Sequence, residues 1–331
     1  MSNIRSLILK TLFLLCTFSF LPSMAAAAAA GGVYPDKPVR LIIPFPPGGS
    51  NDIVGRLIGN QLSGRLGQQV VIDNRGGAGG MIGTEIAANS QPDGYTLLIV
   101  SVAFAYNPAI YKSRLKFDPA KSFTPVAILG TGPNALTVNP KLPIHSVKDL
   151  IALAKAKPGT LNYASAGIGS FQHLGAEMFK LMAGVNIVHV PFKGGGPAMA
   201  DVMAGNTQIT IGSLIQMIPH IRSGRLRVLG VGGAKRNPSM PDVPTIAEAG
   251  VPGYEANNWW GILAPAGTSA AIVKRLHAET AAILASAEIQ KQFESQGAET
   301  VNMSTAEFGK FIRTETAKWE RVVKEAGIRA E

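Results

Sequence analysis

The chain has 331 residues, of which 46% are hydrophobic and 16% charged, with 37 glycines and 22 prolines; this is too apolar for a disordered chain and long enough to bury a large core. Its formal net charge is +10, yet the 31 basic residues are scattered, and none of the familiar nucleic-acid motifs occurs, so the field would attract anionic solutes without implying nucleic acid as a partner. With Cys16 as the single cysteine no intrachain disulfide can form, and the core alone must hold the fold.

Arg5 and Lys10 precede or interrupt an apolar run over residues 7–21, and small residues with several Ala-x-Ala sites follow over residues 23–32. This predicts a secretory signal peptide over residues 1–30, cut near residues 26–32, and a periplasmic protein. A retained anchor is the alternative, disfavoured by the shortness of the run. Leu14 and Leu15 before Cys16 do not supply the small residue a lipoprotein site needs. Loss of Arg5 and Lys10 lowers the formal charge from +10 to +8.

A strand-like run over residues 39–43 leads into Pro44-Phe45-Pro46-Pro47-Gly48-Gly49-Ser50-Asn51-Asp52, after which Ile53, Val54, Leu57, Ile58, Leu62 and Leu66 recur at helical spacing. Ser50, Asn51 and Asp52 are cap-type residues. Gly48 and Gly49 remove the Cβ atoms that would hold a ligand away from free helix N-terminal amides, so the loop can cradle an anion. An ordinary strand-to-helix turn is the plainer alternative.

Further strands are expected at residues 70–73, 96–100, 135–138, 161–165, 187–190, 208–211 and 226–231, and helices at residues 51–66, 147–156, 170–182 and 197–204. Such alternation predicts an α/β fold of parallel sheets with right-handed crossovers. Gly/Pro-rich segments around residues 130–133 and 250–253 read as crossings between two domains, residues 33–131 plus 252–331 and residues 132–251. The final third reads as helices without strands. Ser269 caps a helix over residues 270–285, and Ser304 with Glu307 forms a capping box ahead of a helix that packs back on the first domain.

Three more glycine segments leave predicted strands. They are Tyr163-Ala164-Ser165-Ala166-Gly167-Ile168-Gly169-Ser170, Arg75-Gly76-Gly77-Ala78-Gly79-Gly80-Met81-Ile82-Gly83-Thr84, and Pro191-Phe192-Lys193-Gly194-Gly195-Gly196-Pro197. All four loops fall at the carboxyl ends of strands, the edge at which open α/β sheets bind ligands. Catalytic motifs are missing: Ile82 and Gln172 stand where Gly-x-Gly-x-x-Gly needs its last glycine, and no phosphate loop, nucleophile elbow or His-Glu-x-x-His occurs. His145, His189, His220 and His277 lack a second ligand at metal spacing and read as structural or surface residues. His173, three residues after Ser170, can approach the second loop, although no acid partner is evident nearby.

Seven ordered motifs now carry a resemblance. Pro44-Phe-Pro-Pro-Gly-Gly-Ser-Asn-Asp52 with Arg56, Asn74-Arg-Gly-Gly-Ala-Gly-Gly80 with Gly83-Thr84, Pro92-Asp-Gly-Tyr-Thr-Leu97, the loop ending at Ser170 with His173-Leu174, Val190-Pro-Phe-Lys-Gly-Gly-Gly-Pro-Ala198, the run from Met240 to Gly250, and Trp260-Gly-Ile-Leu-Ala-Pro-Ala-Gly-Thr268 stand in order. From about Tyr34 onward the chain resembles the Bug-type extracytoplasmic receptors of tripartite tricarboxylate transporters. Two departures are small. Ser269 replaces a frequent proline, and Trp259 precedes the usual Trp260, where it either alters the cleft rim or packs as an aromatic.

The resemblance implies a two-domain Venus flytrap of the type II periplasmic-binding-protein kind. It implies a carboxylate held between the domains by backbone amides, hydroxyls and water, no cofactor or metal, a monomer, and delivery to membrane components of the transporter. The matching positions are Gly48, Gly49, Ser50 and Asp52, then Ala78, Gly79 and Thr84, then Ser165, Gly167, Gly169, Ser170 and His173, with Lys193, Gly194 and Ser213. Phe45, Phe104 and Phe192 are candidate apolar walls, Phe104 being equally suited to the core. Asp52 would shape the first loop instead of binding an anion. Two other readings remain: an exported hydrolase using Ser170 and His173, and a structural or adhesion protein.

Overall fold

The computed structural model describes residues 34–325. The expected signal peptide, including Cys16, lies outside the described residues. The chain enters through β1 (Val39–Ile43), buried at four of its five positions, and turns into α1 (Ser50–Leu66), which Gly67 ends in the left-handed conformation. β2 (Val70–Asn74), α2 (Met81–Ala88), β3 (Thr96–Ser101) and α3 (Val102–Ile110) follow, with β1 parallel to both β2 and β3.

Next comes β4 (Phe123–Val138), a strand of 16 residues. After it run α4 (Val147–Ala156), β5 (Asn162–Ser165), α5 (Phe171–Ala183), β6 (Val188–Pro191), α6 (Gly195–Ala204), β7 (Ile209–Ser213), α7 (Leu214–Arg222) and β8 (Arg227–Val231), β5 lying parallel to β6 and β7. The chain returns through β9 (Asn257–Pro265) to α8 (Ala270–Leu284), α9 (Ala287–Ser295), β10 (Glu299–Thr300) and α10 (Thr305–Glu325).

The strand order is β2-β1-β3-β9-β4-β7-β5-β6, with β8 and β10 also paired to β4. β4 therefore belongs to both halves of the sheet: residues from Phe123 to Pro133 pair with β9, while residues from Asn134 to Val138 pair with β7 and β8. The expected crossing at residues 130–133 is thus extended strand, not loop. Pro125 and Pro133 mislead because each lacks a ladder donor, yet the ladder is irregular between Pro125 and Ala127, and Pro133 sits at its last pair with β9. Residues 250–253 form a turn ahead of β9.

The expectation of a strandless final third is also overturned. β9 is central and buried at eight of nine positions, so it reads as a continuous apolar run without alternation, and two-residue β10 is too short to see. β9 is antiparallel to β3 and β4, so the sheet is mixed and not purely parallel. Helices α3 and α7 escape the sequence pattern because Pro108 and Pro219 read as breakers inside them.

α10 begins with the expected box: the Ser304 amide donates to Glu307 at 2.8 Å and the Glu307 amide to the Ser304 hydroxyl at 3.2 Å, an arrangement that contributes about 1 kcal/mol. It packs on the first half of the sheet through Trp319, edge-on to Tyr106 at 5.5 Å. Trp259 meets Phe308 and Phe311 at 6.0 and 5.4 Å, and its indole N–H donates to Glu315 at 3.3 Å. It is a packed aromatic away from any cleft rim. Phe104, buried edge-on against Phe123, likewise belongs to the core.

Candidate functional site

The loop after β1 is shaped by one carboxylate. Asp52 accepts hydrogen bonds from the Gly48 amide at 3.0 Å, the Asn74 amide group at 2.9 Å and Arg56 Nε at 3.0 Å. Burial pushes its carboxyl up, but these bonds, led by Arg56, outweigh burial and hold it below the ordinary value. Gly48 can take this path because its φ is +81°, where side chains are strained. No side chain caps α1 at Gly49, and the Asp52 and Ile53 amides return to the Gly49 carbonyl. The Ser50 and Asn51 amides are left without an intrahelical acceptor at the positive end of the helix dipole.

The loop after β5 has its own brace. Ser165, fully buried, lies 2.6 Å from His189 Nε2 and accepts from the Gly167 amide at 3.1 Å. His189 is sandwiched between Tyr163 at 4.7 Å and His173 at 4.5 Å. Burial, with the neighbouring His173, lowers His189 to about 4, and burial likewise lowers His173, so both rings stay neutral near pH 7. Below them Glu177 accepts from Tyr163 at 2.6 Å and Lys180 at 2.7 Å. Burial opposes the Glu177 charge, but the Lys180 and Tyr163 bonds prevail and keep it ionised.

Ser170 caps α5 by accepting from the His173 amide at 3.2 Å, while the His173 ring accepts from the Gly169 amide at 3.4 Å. The serine hydroxyl and the imidazole thus serve separate backbone groups. The closer serine–histidine pair, Ser165 with His189, is enclosed beneath the loop, where its serine has no access to a substrate.

Between the two loops lies a cavity of about 40 Å³, where a single buried water needs roughly 10–15 Å³. Phe45, Gly49, Ser50, Asn51 and Ser101 line it from one half, Ser170, Gln172, Gly195, Ser213 and Gln216 from the other. Asn258, at the start of β9, stands between them: its amide nitrogen is 3.4 Å from the Ser50 hydroxyl and 3.0 Å from that of Ser213. No lining residue carries a charged side chain, so an anion here would be held by dipoles and hydroxyls.

The halves are in contact around this cavity. The Tyr111 hydroxyl donates to the Ile168 carbonyl at 2.9 Å. A Cβ on Gly79 would stand 3.0 Å from that same carbonyl oxygen, and one on Gly194 2.9 Å from Pro46 Cγ. These glycines allow the opposed loops to meet.

Of the residues expected from sequence, Phe45, Gly49, Ser50, Ser170 and Ser213 line the cavity. Gly48 and Asp52 shape its first wall, and Ser165, Gly167, Gly169 and His173 its second. Ala78, Gly79 and Thr84 do not line it: Thr84 donates its hydroxyl to the carbonyl of Gly80, the residue before α2, at 2.8 Å. Phe192 packs behind the lining, Gly194 sits at the contact with Pro46, and Lys193 is exposed to solvent. Asn258, Gln172 and Gln216 were not anticipated. The two glutamines stand in the first turns of helices that follow strands, the signal that could have revealed them; Asn258 was hidden with β9.

The family model described as "Tripartite tricarboxylate transporter family receptor" matches residues 54–328. Protein BugT of Bordetella pertussis is 38% identical over 310 residues, covering 92% of this chain and 94% of BugT. Among solved structures, R. palustris Rpa4515 with adipate is 41% identical, with a TM-score of 0.87 over 89% of this chain and 99% of that one. MatC from Rhodopseudomonas palustris with bound malate is 30% identical, with a TM-score of 0.83 over 88% of this chain and all of that one. With these likenesses along nearly its whole described length, the chain belongs to the tripartite tricarboxylate transporter receptor family.

Proposed function

We propose that this protein is an exported solute-binding receptor that captures a small organic carboxylate in its cleft and delivers it to the membrane components of a tripartite tricarboxylate transporter. One observation carries the reading: the amino-terminal turns of α1 and α5, from opposite halves of the sheet, share one closed cavity with Asn258 between them. Only closure brings both sets of amides and hydroxyls to one anion, so a carboxylate stabilises the closed form over the open one.

In this reading residues 33–131 with 252–331 form one lobe, residues 132–251 the other, and the strand crossings near Pro133 and Asn257 act as the hinge. Gly49, Ser50, Ser170 and Ser213 contact the ligand, Phe45 supplies an apolar wall, and Asp52, Ser165 and His173 hold the loops in shape. The protein works in the periplasm as a monomer, without cofactor, and it binds without making or breaking bonds. The adipate and malate held by two relatives support a carboxylate ligand here.

The test is a thermal-shift screen of the mature chain against mono-, di- and tricarboxylates, with recovery of the ligand. A true ligand at a hundredfold excess over its Kd stabilises by about 2.7 kcal/mol and returns unchanged. No shift with any carboxylate refutes the receptor, and steady turnover by pure protein replaces it with the hydrolase.

A further inference from the structure

Two side-chain atoms in the cleft are unsatisfied. Gln172 Oε1 and Gln216 Nε2 are buried without a hydrogen-bond partner, their residues being 4% and 5% exposed, and both residues line the cavity. Gln172 is anchored through its nitrogen, which reaches Thr210 Oγ1 at 3.5 Å, leaving its oxygen as the unused group. Gln216 packs over Gly195, where a Cβ would stand 2.9 Å from Nε2; the glycine gives that amide its room. A buried acceptor and a buried donor left unmade each oppose closure, so the closed form calls for a group that answers both.

From this we infer, building on the receptor reading above, that Gln172 and Gln216 determine specificity and that the cleft selects carboxylates bearing a hydroxyl. The chemistry separates the substituents. A carboxylate or keto oxygen only accepts, so it can serve Gln216 Nε2 but is repelled by Gln172 Oε1. An ammonium only donates, so it serves Gln172 and leaves Gln216 unpaired. A hydroxyl donates to one amide and accepts from the other. Rotating both amides exchanges the two needs, and the same hydroxyl answers them; rotating one alone leaves two donors or two acceptors, which the keto and amino forms in the titration below detect. The carboxylate itself remains with the Ser50 and Asn51 amides and the cleft hydroxyls.

The experiment is calorimetric titration of the mature protein with matched series of two- to six-carbon mono- and dicarboxylates, each skeleton supplied unsubstituted and with an α-hydroxyl, α-amino or α-keto group. Among the skeletons that bind, the hydroxy form is expected to bind at least tenfold tighter than the unsubstituted form, because a site built to pair a hydroxyl rejects the analogue lacking it. In Gln172→Met and Gln216→Met, which keep side-chain length and are checked for folding by thermal melting, that ratio collapses toward one. Equal binding of hydroxy and unsubstituted forms overturns the inference and leaves the receptor reading standing, as does tighter binding of the amino or keto form, or a ratio unchanged in both folded variants. If no member of any series binds, this inference falls, and the receptor reading falls with it only when the wider thermal-shift screen, tricarboxylates included, is also empty.

Discussion

Replacing Tyr111 with phenylalanine separates closure from ligand contact. The tyrosine ring is 7% exposed and stays packed in the variant, while its hydroxyl gives the 2.9 Å bond to the Ile168 carbonyl across the cleft. In an open form both groups would be hydrated, so the bond stabilises only the closed form. A hydrogen bond of this kind contributes about 0.5–1.5 kcal/mol net. Since the ligand binds the closed form, the loss passes directly into affinity and raises Kd about 2- to 13-fold. If no water reaches the abandoned carbonyl, the loss approaches about 3 kcal/mol and the change exceeds a hundredfold, so the measured factor also tells whether that part of the seam admits water. Titration with the ligand found by thermal shift gives Kd, and small-angle scattering with and without ligand follows the change in radius. An unchanged Kd refutes the view that this seam forms during binding.

Two other predictions address the loops directly. Gly49 has φ −85° and its Cβ would meet nothing closer than the Pro46 carbonyl oxygen at 3.8 Å, so Gly49→Val should fold with a loss of about 1 kcal/mol or less while its side chain fills the cavity and abolishes binding; retained affinity would remove the first loop from the site. His189 is lowered in the fold, mainly by burial, to about 4 from an ordinary 6.5, so the unfolded chain binds the extra proton between these values and stability must fall as pH drops through that window. His189→Gln should flatten the fall by up to about 1.4 kcal/mol per pH unit in denaturant titrations, and a slope equal to wild type between pH 4 and 6.5 would mean the ring is not held neutral.

Recognition without charge explains why the net positive balance of the chain is not concentrated at its site. Arg56, one helical turn past the first loop, pairs with Asp52, and Lys180 pairs with Glu177 beneath the second. Each loop is thus held by a local ion pair that stops short of the cavity. What faces the cavity is a set of fixed dipoles, which lose little on reorganising because the glycine paths and carboxylate braces have already set them.

How much of this was legible in the sequence follows from where each feature's information lies. The four glycine loops were legible because positive φ, helix caps and strand-end placement are local demands, each written within about ten residues. The capping box before α10 was legible for the same reason. β9 was not: its run from Trp259 to Pro265 is buried on both faces, so no alternation marks it, and its place between β3 and β4 is a long-range fact. With β9 went Asn258, whose bond to each half depends on that strand starting between two loops that are 163 residues apart in sequence at Ser50 and Ser213. Gln172 and Gln216 were lost likewise, since their unpaired atoms become meaningful only when β7 inserts between β4 and β5 and brings α5 and α7 to one cavity. Sequence therefore exposes the backbone half of recognition, common to every anion the loops could hold. The half that distinguishes one carboxylate from another rests on side chains whose roles exist only after the halves of the sheet have met.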